Sequence, residues 1–375
     1  MKADNFKTAS AELAAVEQDV RYLENVRKGM SDRGLAEDAS LSDLIMGKYN
    51  LSMGDFLTKV GVETNRDTIN NLLTVPNQGV KWLVPELIRD AITLGIRQAP
   101  IYPTLIASEQ SVNALTVIMP QVNMSDAAPA KVNEGETIPL GTVSFGQKQV
   151  TLFKLGKGLK LTDELKNYVS MDVLSIFLRD FGIKLGYAQD VLAIDCLING
   201  DKNDGSESAP VVGVLNTGSI EYKDLLRIWV RAGRMGRNFS TLVADEETAI
   251  NTLALPQYSN WSVLPNYRTQ QPIHRMNLRT PIPQSSDFLI HGNVPDGDIL
   301  LVDKSSAMIK LNSQALMVES ERIVSNQTEA VYASLTTGFA KVYRDAAIIL
   351  DSSMQFNGFP PYMEIDPLKN VGIEL

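Results

Sequence analysis

The longest regular hydrophobic pattern in the chain lies between residues 171 and 198. Apolar side chains recur there at alternating spacings of four and three residues, at Leu174, Leu178, Phe181, Leu185, Ala188 and Leu192. That spacing places them on one face of a helix. Ser170 and Asp172 are typical of a helix start, and Asn199-Gly200 is typical of a helix end. The pattern therefore predicts a helix of roughly 40 Å with one buried face.

Two strand-like segments before this helix predict a hairpin. ALTVIM (114–119) is the first leg, and QKQVTLFKL (147–155) is the second, with Val150 and Leu152 on one face. The chain between them is polar and rich in glycine and proline. Because a compact domain has little use for such a long exposed loop, we expect it to contact something other than its own core. The candidate contact residues are Ala130, Lys131, Val132, Asn133, Glu134, Glu136, Thr137, Ile138 and Pro139.

The first 84 residues predict short helices with little apolar surface. One narrow stripe consists of Leu13, Val16, Val20 and Leu23, and a second apolar segment, SLSDLIMGKYNLSMGDFLTKV, is interrupted by glycines. Neither segment has enough apolar surface to fold alone. The region therefore either docks on another surface, such as another copy of the chain, or forms a mobile arm. The next segment, VPELIRDAITLGIRQAP, predicts a helix with Pro85 near its first turn.

Helices and strands alternate after Glu221. EYKDLLRIWVRAGRMG predicts a helix, STLVAD a short buried strand, and EETAINTLAL a second helix capped by Asp245. This block favours a small α/β lobe. DILLVD, AMIKLN and ALMVESE predict a meander of three strands, and EAVYASLTTGFAKVY and AAIILD predict returning strands. The fold class is therefore expected to be α+β.

Composition narrows the classes of function. The formal net charge of −9 argues against a protein that grips nucleic acid, but not against one that encloses it. The single cysteine, Cys196, excludes an internal disulfide framework and favours a reducing compartment. We expect neither a signal peptide nor a membrane span, because the N-terminus lacks an apolar core and no apolar run is long enough.

Motifs for catalysis and metal binding are weak. His274 and His291 are the only histidines, so a multi-histidine metal site is not expected. LGKGLKLT lacks the glycine spacing of a phosphate loop, so Lys157 is predicted to be a solvated charge at a strand end. DKNDGSE has its glycine one position too early for a calcium loop and predicts a plain turn. Cys196 is expected to be a small core residue. We expect no catalytic residue, no metal, no cofactor and no enzyme activity.

The order of these parts resembles the HK97-fold major capsid proteins of tailed bacteriophages (Caudoviricetes). The resemblance covers roughly residues 85–350 and includes the turn NGDKNDG and the passage APVVGVLN. In that family the hairpin is the E-loop and the long helix is the spine. The resemblance implies an N-terminal arm at 1–84, a connecting helix and strand at 85–113, the E-loop at 114–155, a P-domain at 156–212 with the spine helix at 171–198, a central A-domain at 213–305, and returning P-domain strands with a C-terminal tail at 306–375.

This resemblance implies a structural protein of the virion that self-assembles into hexamers and pentamers. These would form an icosahedral viral capsid around double-stranded DNA, without binding that DNA specifically. The E-loop and the N-terminal arm would lie across neighbouring copies. Portal, scaffold and decoration proteins would be further partners, and assembly would occur in the host cytoplasm. Two alternatives stay open: an encapsulin-type nanocompartment shell, and, from a different class, an α/β ligand-binding protein or enzyme.

Some members of the family join subunits covalently, through an isopeptide bond between an E-loop lysine and a P-domain asparagine, with help from a glutamate. The E-loop here contains Lys131 and the acids Glu134 and Glu136. Alignment to the family's last strands places Thr328 at the asparagine position, with Asn326 two residues away on a predicted strand. Because catalysis tolerates much smaller displacements, we predict a shell without covalent cross-links.

Overall fold

A computed structural model describes residues 17–18, 40–60, 83–98, 100–119, 132, 134–137, 148–201, 208–256, 275–279 and 285–360. Features predicted at other positions, such as the stripe of Leu13, Val16, Val20 and Leu23, lie outside these residues. The chain divides into two compact units. The first contains residues 1–100, 153–189 and 312–337, and the second contains residues 101–152, 190–311 and 338–375.

The helices follow the predicted order. They are α1 (Leu41–Leu44, continued by a π-helical turn at Ile45–Tyr49), α2 (Met53–Val60), α3 (Leu83–Gln98), α4 (Asp163–Tyr168), α5 (Met171–Asn199), α6 (Tyr222–Arg234) and α7 (Glu246–Leu253). Short 3-10 turns lie at Tyr102–Thr104, Val324–Asn326 and Arg344–Ala346. The helix predicted at 171–198 is confirmed as α5, and the Asp245 side chain caps α7 by accepting a hydrogen bond from the Glu247 N–H.

The strands form three sheets. They are β1 (Ser108–Ser111), β2 (Thr116–Met119), β3 (Lys148–Thr151), β4 (Phe153–Thr162), β5 (Val211–Val214), β6 (Thr241–Ala244), β7 (Arg275–Arg279), β8 (Ser285–Ile290), β9 (Asp298–Val302), β10 (Met308–Ile323), β11 (Thr328–Lys341) and β12 (Ala347–Gln355). The sheet orders are β1-β10-β11-β4, β5-β12-β9-β6-β8-β7 and β2-β3. This mixture of helices and largely antiparallel sheets is the expected α+β class.

The first unit has one hydrophobic core, to which α1, α2, α3, α5, β4 and β11 contribute. Leu41, Ile45 and Phe56 are buried in this core with Leu174 and Leu178 of α5. Residues 40–60 therefore dock on their own chain. Of the two options that the sequence left open, docking and a mobile arm, docking is the one that applies to this segment. An electrostatic contact adds to the packing, because the Asp90 carboxylate of α3 accepts a 2.8 Å hydrogen bond from the Ser42 hydroxyl.

Two glycines let α3 and α5 approach until their backbones touch. A Cβ atom at Gly182 of α5 would overlap the carbonyl oxygen of Ile92 and would lie 3.1 Å from the Cα of Gly95. A Cβ atom at Gly95 of α3 would in turn overlap the carbonyl oxygen of Arg179. Glycine is destabilising inside a helix, so its presence at both sides of the contact reflects this close approach.

The second unit is built on the six-stranded sheet. Alternate side chains of its strands enter two different cores, since successive residues of a strand face opposite sides. Val243, Leu300 and Ile349 pack with the end of α5 in one core, and Leu242, Leu301 and Ile348 pack with α6 in the other. All four residues of β6 are consequently buried, as a central strand with two covered faces requires.

Three local predictions were wrong. AMIKLN and ALMVESE are not two strands, because β10 runs without interruption from Met308 to Ile323. Lys157 is not at a strand end, because β4 continues through both neighbouring glycines to Thr162. Asn326 is not on a strand, because it belongs to the 3-10 turn between β10 and β11, where Gln327 adopts a left-handed conformation with φ of 47°.

Candidate assembly surfaces

The base of the predicted hairpin is fixed in a small hydrophobic core. β2 pairs antiparallel with β3, with Thr116 opposite Thr151, so the predicted pairing of the two legs is confirmed. Val150 and Leu152 are buried and pack with Leu311 and Ala340 of the same unit. The base of the hairpin therefore belongs to the hydrophobic core of its own unit.

Four of the nine predicted contact residues belong to the part of the chain that the structure describes. Glu134, Glu136 and Thr137 are exposed, Val132 is half-buried, and Gly135 makes a turn with φ of 87°. Two carboxylates thus face solvent on either side of a glycine turn. The other candidates, Ala130, Lys131, Asn133, Ile138 and Pro139, lie outside the described residues.

Helix α5 has one buried and one exposed apolar face. Leu174, Leu178, Phe181 and Leu185 are buried, and Leu192 is half-buried. On another face of the same helix, Val173 is 44% exposed, Ile176 65% and Phe177 56%. We call these three residues the outer face. Residues three and four apart are neighbours on a helix surface, so the outer face is one continuous apolar patch.

Sequence reasoning missed this outer face. The signal was present, since Val173, Ile176 and Phe177 have the i, i+3, i+4 spacing of a helix face. Tyr168 at the end of α4, which is 84% exposed, adds a large aromatic surface shortly before α5 in the chain. Contiguous exposed apolar side chains of this size are typical of protein–protein contact sites.

Strand β4 presents positive charge at the end of its sheet. It carries Lys154, Lys157 and Lys160 and no acidic residue. Within the part of the chain that the structure describes, none of the three lysines forms an ion pair, although the Lys157 ammonium lies 5.8 Å from the centre of the Phe181 ring. In the described strands β4 has β11 on one side and no strand on the other. We call this feature the lysine edge.

A buried polar cluster holds the start of the second unit. The Asp190 carboxylate accepts hydrogen bonds from the backbone N–H groups of Ile101 (3.0 Å) and Tyr102 (2.8 Å). The buried Lys310 ammonium donates a 2.8 Å hydrogen bond to the Tyr102 hydroxyl. Burial raises the pKa of Asp190 to about 7, although both N–H donors and the Lys310 charge act in the opposite direction. The cluster fixes the 3-10 turn at Tyr102–Thr104 to α5.

The described residues contain little that suggests catalysis. No group of three or more histidine, cysteine, aspartate or glutamate side chains among them could hold a metal ion. Burial lowers the pKa of His291, whose Nδ1 accepts a hydrogen bond from the Asn293 N–H at 3.1 Å. Cys196 is buried, as predicted, and its Sγ donates to the Phe339 carbonyl oxygen at 3.5 Å. None of the helices in the described ranges is long and apolar enough to span a bilayer.

Comparisons with known proteins give structural likenesses only. No protein-family model matches the chain, and no curated protein matches it. The capsid of an empty GTA particle is 15% identical, with a TM-score of 0.46, over 65% of this chain and 87% of that one. The chain named Microbacterium phage Oxtober96 is 10% identical, with a TM-score of 0.48, over 68% of this chain and 91% of that one. The SrpI encapsulin of Synechococcus elongatus PCC 7942 is 14% identical, with a TM-score of 0.47, over 69% of this chain and 90% of that one.

Proposed function

We propose that this chain is a self-assembling shell protein of the HK97 type, the major capsid protein of a tailed bacteriophage. The observation that carries the proposal is the outer face of α5. Its three apolar side chains are between 44% and 65% exposed, on a helix that has a second apolar face, which is buried. An exposed apolar face of this kind is stabilised when another molecule covers it, and covering the exposed part of each side chain would contribute about 1–2 kcal/mol.

The order of the elements supports the same proposal. An anchored hairpin, a helix of 29 residues, a central α/β sheet and two long returning strands follow one another in the described chain. This is the order that the resemblance to HK97-type capsid proteins implies. In the proposed shell, the hairpin tip and the outer face contact neighbouring copies within hexamers and pentamers. Such contacts must accept slightly different angles, and an exposed arm on a fixed base is suited to that.

The charge of the chain supports an enclosing role towards nucleic acid. With a net charge of −9, the shell would repel double-stranded DNA on average and would not bind it specifically. Portal, scaffold and decoration proteins are the further partners in this proposal. The protein would act in the virion after assembly in the host cytoplasm, and it would have no enzyme activity.

The encapsulin-type shell remains the alternative with the same architecture. The contents of purified particles distinguish a capsid from an encapsulin-type shell. A capsid should protect double-stranded DNA from added nuclease, whereas a nanocompartment should contain a stoichiometric protein cargo and no protected DNA. A ligand-binding protein or enzyme would instead behave as a monodisperse monomer with a ligand-dependent melting temperature.

Negative-stain microscopy of the purified protein tests the proposal directly. We expect closed particles of uniform diameter, since isometric shells close with fixed symmetry. A homogeneous monomer at every concentration and salt condition would contradict the proposal. Boiling the particles in detergent with reductant adds a second measurement. It should release one band near 41.2 kDa, because we predict no covalent cross-link. A ladder of oligomers that disappears in Asn326→Ala would contradict that prediction.

A further inference from the structure

Asn357 and Gly358 lie in the segment after β12, between two aromatic residues held by α6. The Phe356 ring lies 4.0 Å from the Arg227 guanidinium, and the Phe359 ring lies 5.2 Å from the Arg231 guanidinium. The two rings also contact each other edge to face, with centroids 5.4 Å apart. Between these anchors, Asn357 and Gly358 are exposed and belong to no helix or strand.

We propose that Asn357 is a site of spontaneous deamidation, a modification of the chain by its own backbone. The backbone nitrogen of Gly358 attacks Cγ of Asn357, so an N–Cγ bond forms and the Cγ–Nδ2 bond breaks. The proton of the Gly358 N–H passes through solvent to the departing nitrogen, which leaves as ammonia. Water then opens the resulting succinimide to aspartate or isoaspartate. The reaction consumes only water and needs no oxidant, metal or cofactor.

The local geometry favours attack at this position. Gly358 has no Cβ atom that would shield its nitrogen, and its φ of 109° is a conformation that other residues rarely adopt. A Cβ atom placed on Gly358 would meet no atom within 4 Å apart from its chain neighbours, so the space beside this residue is open. Within the described part of the chain, the Asn357 amide has no hydrogen-bond partner. Arg227 and Arg231, whose guanidiniums contact the flanking rings, also make the surroundings of this segment positive, which favours the negative charge that develops during attack.

The chain contains a second Asn-Gly pair that serves as an internal control. Asn199 is the last residue of α5, and Gly200 follows it. The Asn199 Nδ2 donates a 2.7 Å hydrogen bond to the Asp195 carboxylate, which holds the amide along the helix. A helical backbone also directs the next nitrogen away from the side-chain carbon, and Gly200 is buried. The same dipeptide is therefore prevented from reacting at one position and free to react at the other.

Deamidation would change this surface in two ways. The product adds one negative charge to a chain with a net charge of −9, next to Arg227 and Arg231. Isoaspartate also lengthens the backbone between Phe356 and Phe359 by one carbon atom. We expect this longer backbone to weaken the contacts of the two rings with the α6 arginines. Older molecules should therefore hold the segment after β12 less firmly than newly made ones.

The test is incubation of the native protein in heavy-oxygen water, followed by proteolysis and mass spectrometry. We expect one heavy oxygen in the peptide that contains Asn357, at a rate that rises with hydroxide concentration. The peptide that contains Asn199 should label at least about tenfold more slowly, because misplaced groups react much more slowly. In concentrated urea both peptides should label alike, which would assign the selectivity to the fold. No labelling at Asn357, or equal labelling at both positions of the native protein, would overturn the proposal.

Two variants isolate the chemistry. Asn357→Gln keeps an amide but would need a larger ring, so labelling at position 357 should disappear; persistent labelling there would overturn the mechanism. Asn357→Asp introduces the product's charge without the extra backbone carbon. Aged wild-type protein should show faster proteolysis after β12 than fresh Asn357→Asp protein. Equal proteolysis of the two would overturn the proposed effect of isoaspartate on the aromatic anchors.

Discussion

The two sides of α5 in the first unit differ in what covers them. On one side, Leu174 and Leu178 are buried, and Gly182 lies against the backbone of α3. On the other side, Val173, Ile176 and Phe177 are as apolar but are largely exposed. Hydrophobicity alone does not distinguish the sides. The first face therefore stabilises the subunit, whereas the outer face is the surface that, under the proposed function, would contact neighbouring copies.

Neighbouring residues on the two faces provide the sharpest test. Leu178→Ala removes a completely buried side chain and should lower the free energy of unfolding by about 2–5 kcal/mol. Phe177→Ala removes a side chain that is 56% exposed and should change that free energy by only about 0.5 kcal/mol. Phe177→Ala should instead reduce particle yield. The measurements are denaturant unfolding of dissociated subunits and light scattering of assembly reactions.

Each variant is the control for the other. If Phe177→Ala unfolds as easily as Leu178→Ala, the outer face is part of the subunit's own core. If Phe177→Ala assembles like the wild type, then that side chain does not contribute to the contact. Either result would remove the contrast between the two faces.

The glycine contact between α3 and α5 should show a smaller effect. Gly182→Ala gains up to about 1 kcal/mol of helix propensity but forces the two backbones apart, and the net loss should be about 1–3 kcal/mol. Gly186→Ala meets its nearest atom, the Ile96 carbonyl oxygen, at 3.2 Å and should cost less. Gly233→Ala in α6 has no atom within 4 Å and should stabilise the protein by roughly 0.5–1 kcal/mol. Thermal unfolding of the three variants gives the ranking, and equal effects would contradict the close approach.

The polar cluster further along α5 should produce an effect that is visible as pH dependence of stability. The pKa of Asp190 is about 7 in the folded protein and near 3.8 when unfolded. Between these values the folded state binds a proton that the unfolded state has lost, so stability should fall as the pH rises from about 4 to about 7. Asp190→Asn can still accept from both N–H groups and should remove this slope. Unfolding at several pH values measures it, and an unchanged slope would assign it to another group.

The sequence predicted α5 well because its pattern is local and long. Its bounds follow from a sustained helical period and from an Asn-Gly stop, which require no knowledge of the rest of the chain. The hairpin legs were predictable for the same reason, since Val150 and Leu152 alternate with exposed residues. These predictions depended on neighbouring residues alone.

Features that depend on distant residues were not predictable. The polar residues Asn312, Ser313 and Gln314 lie where the two predicted strands meet, yet β10 continues through them, and β11 forms hydrogen bonds with two of these side chains. The Thr337 hydroxyl donates to Asn312 at 3.1 Å, and the Thr336 hydroxyl donates to Gln314 at 3.4 Å. Asp190 likewise depends on residues far away in the chain. The sequence also did not show which apolar face of α5 is buried within its own unit. Periodicity identifies an apolar face but not the element that packs against it.

The lysine edge affects how unassembled subunits associate with one another. A strand at the end of a sheet exposes unpaired backbone groups, and identical chains can use such an edge to join into fibres of unlimited length. Lys154, Lys157 and Lys160 place like charges where two such edges would meet. Their repulsion disfavours edge-to-edge polymerisation, more strongly at low ionic strength than at high. If the proposed function holds, freshly synthesised subunits would thus remain dispersed in a crowded cell until more specific contacts select a closed structure.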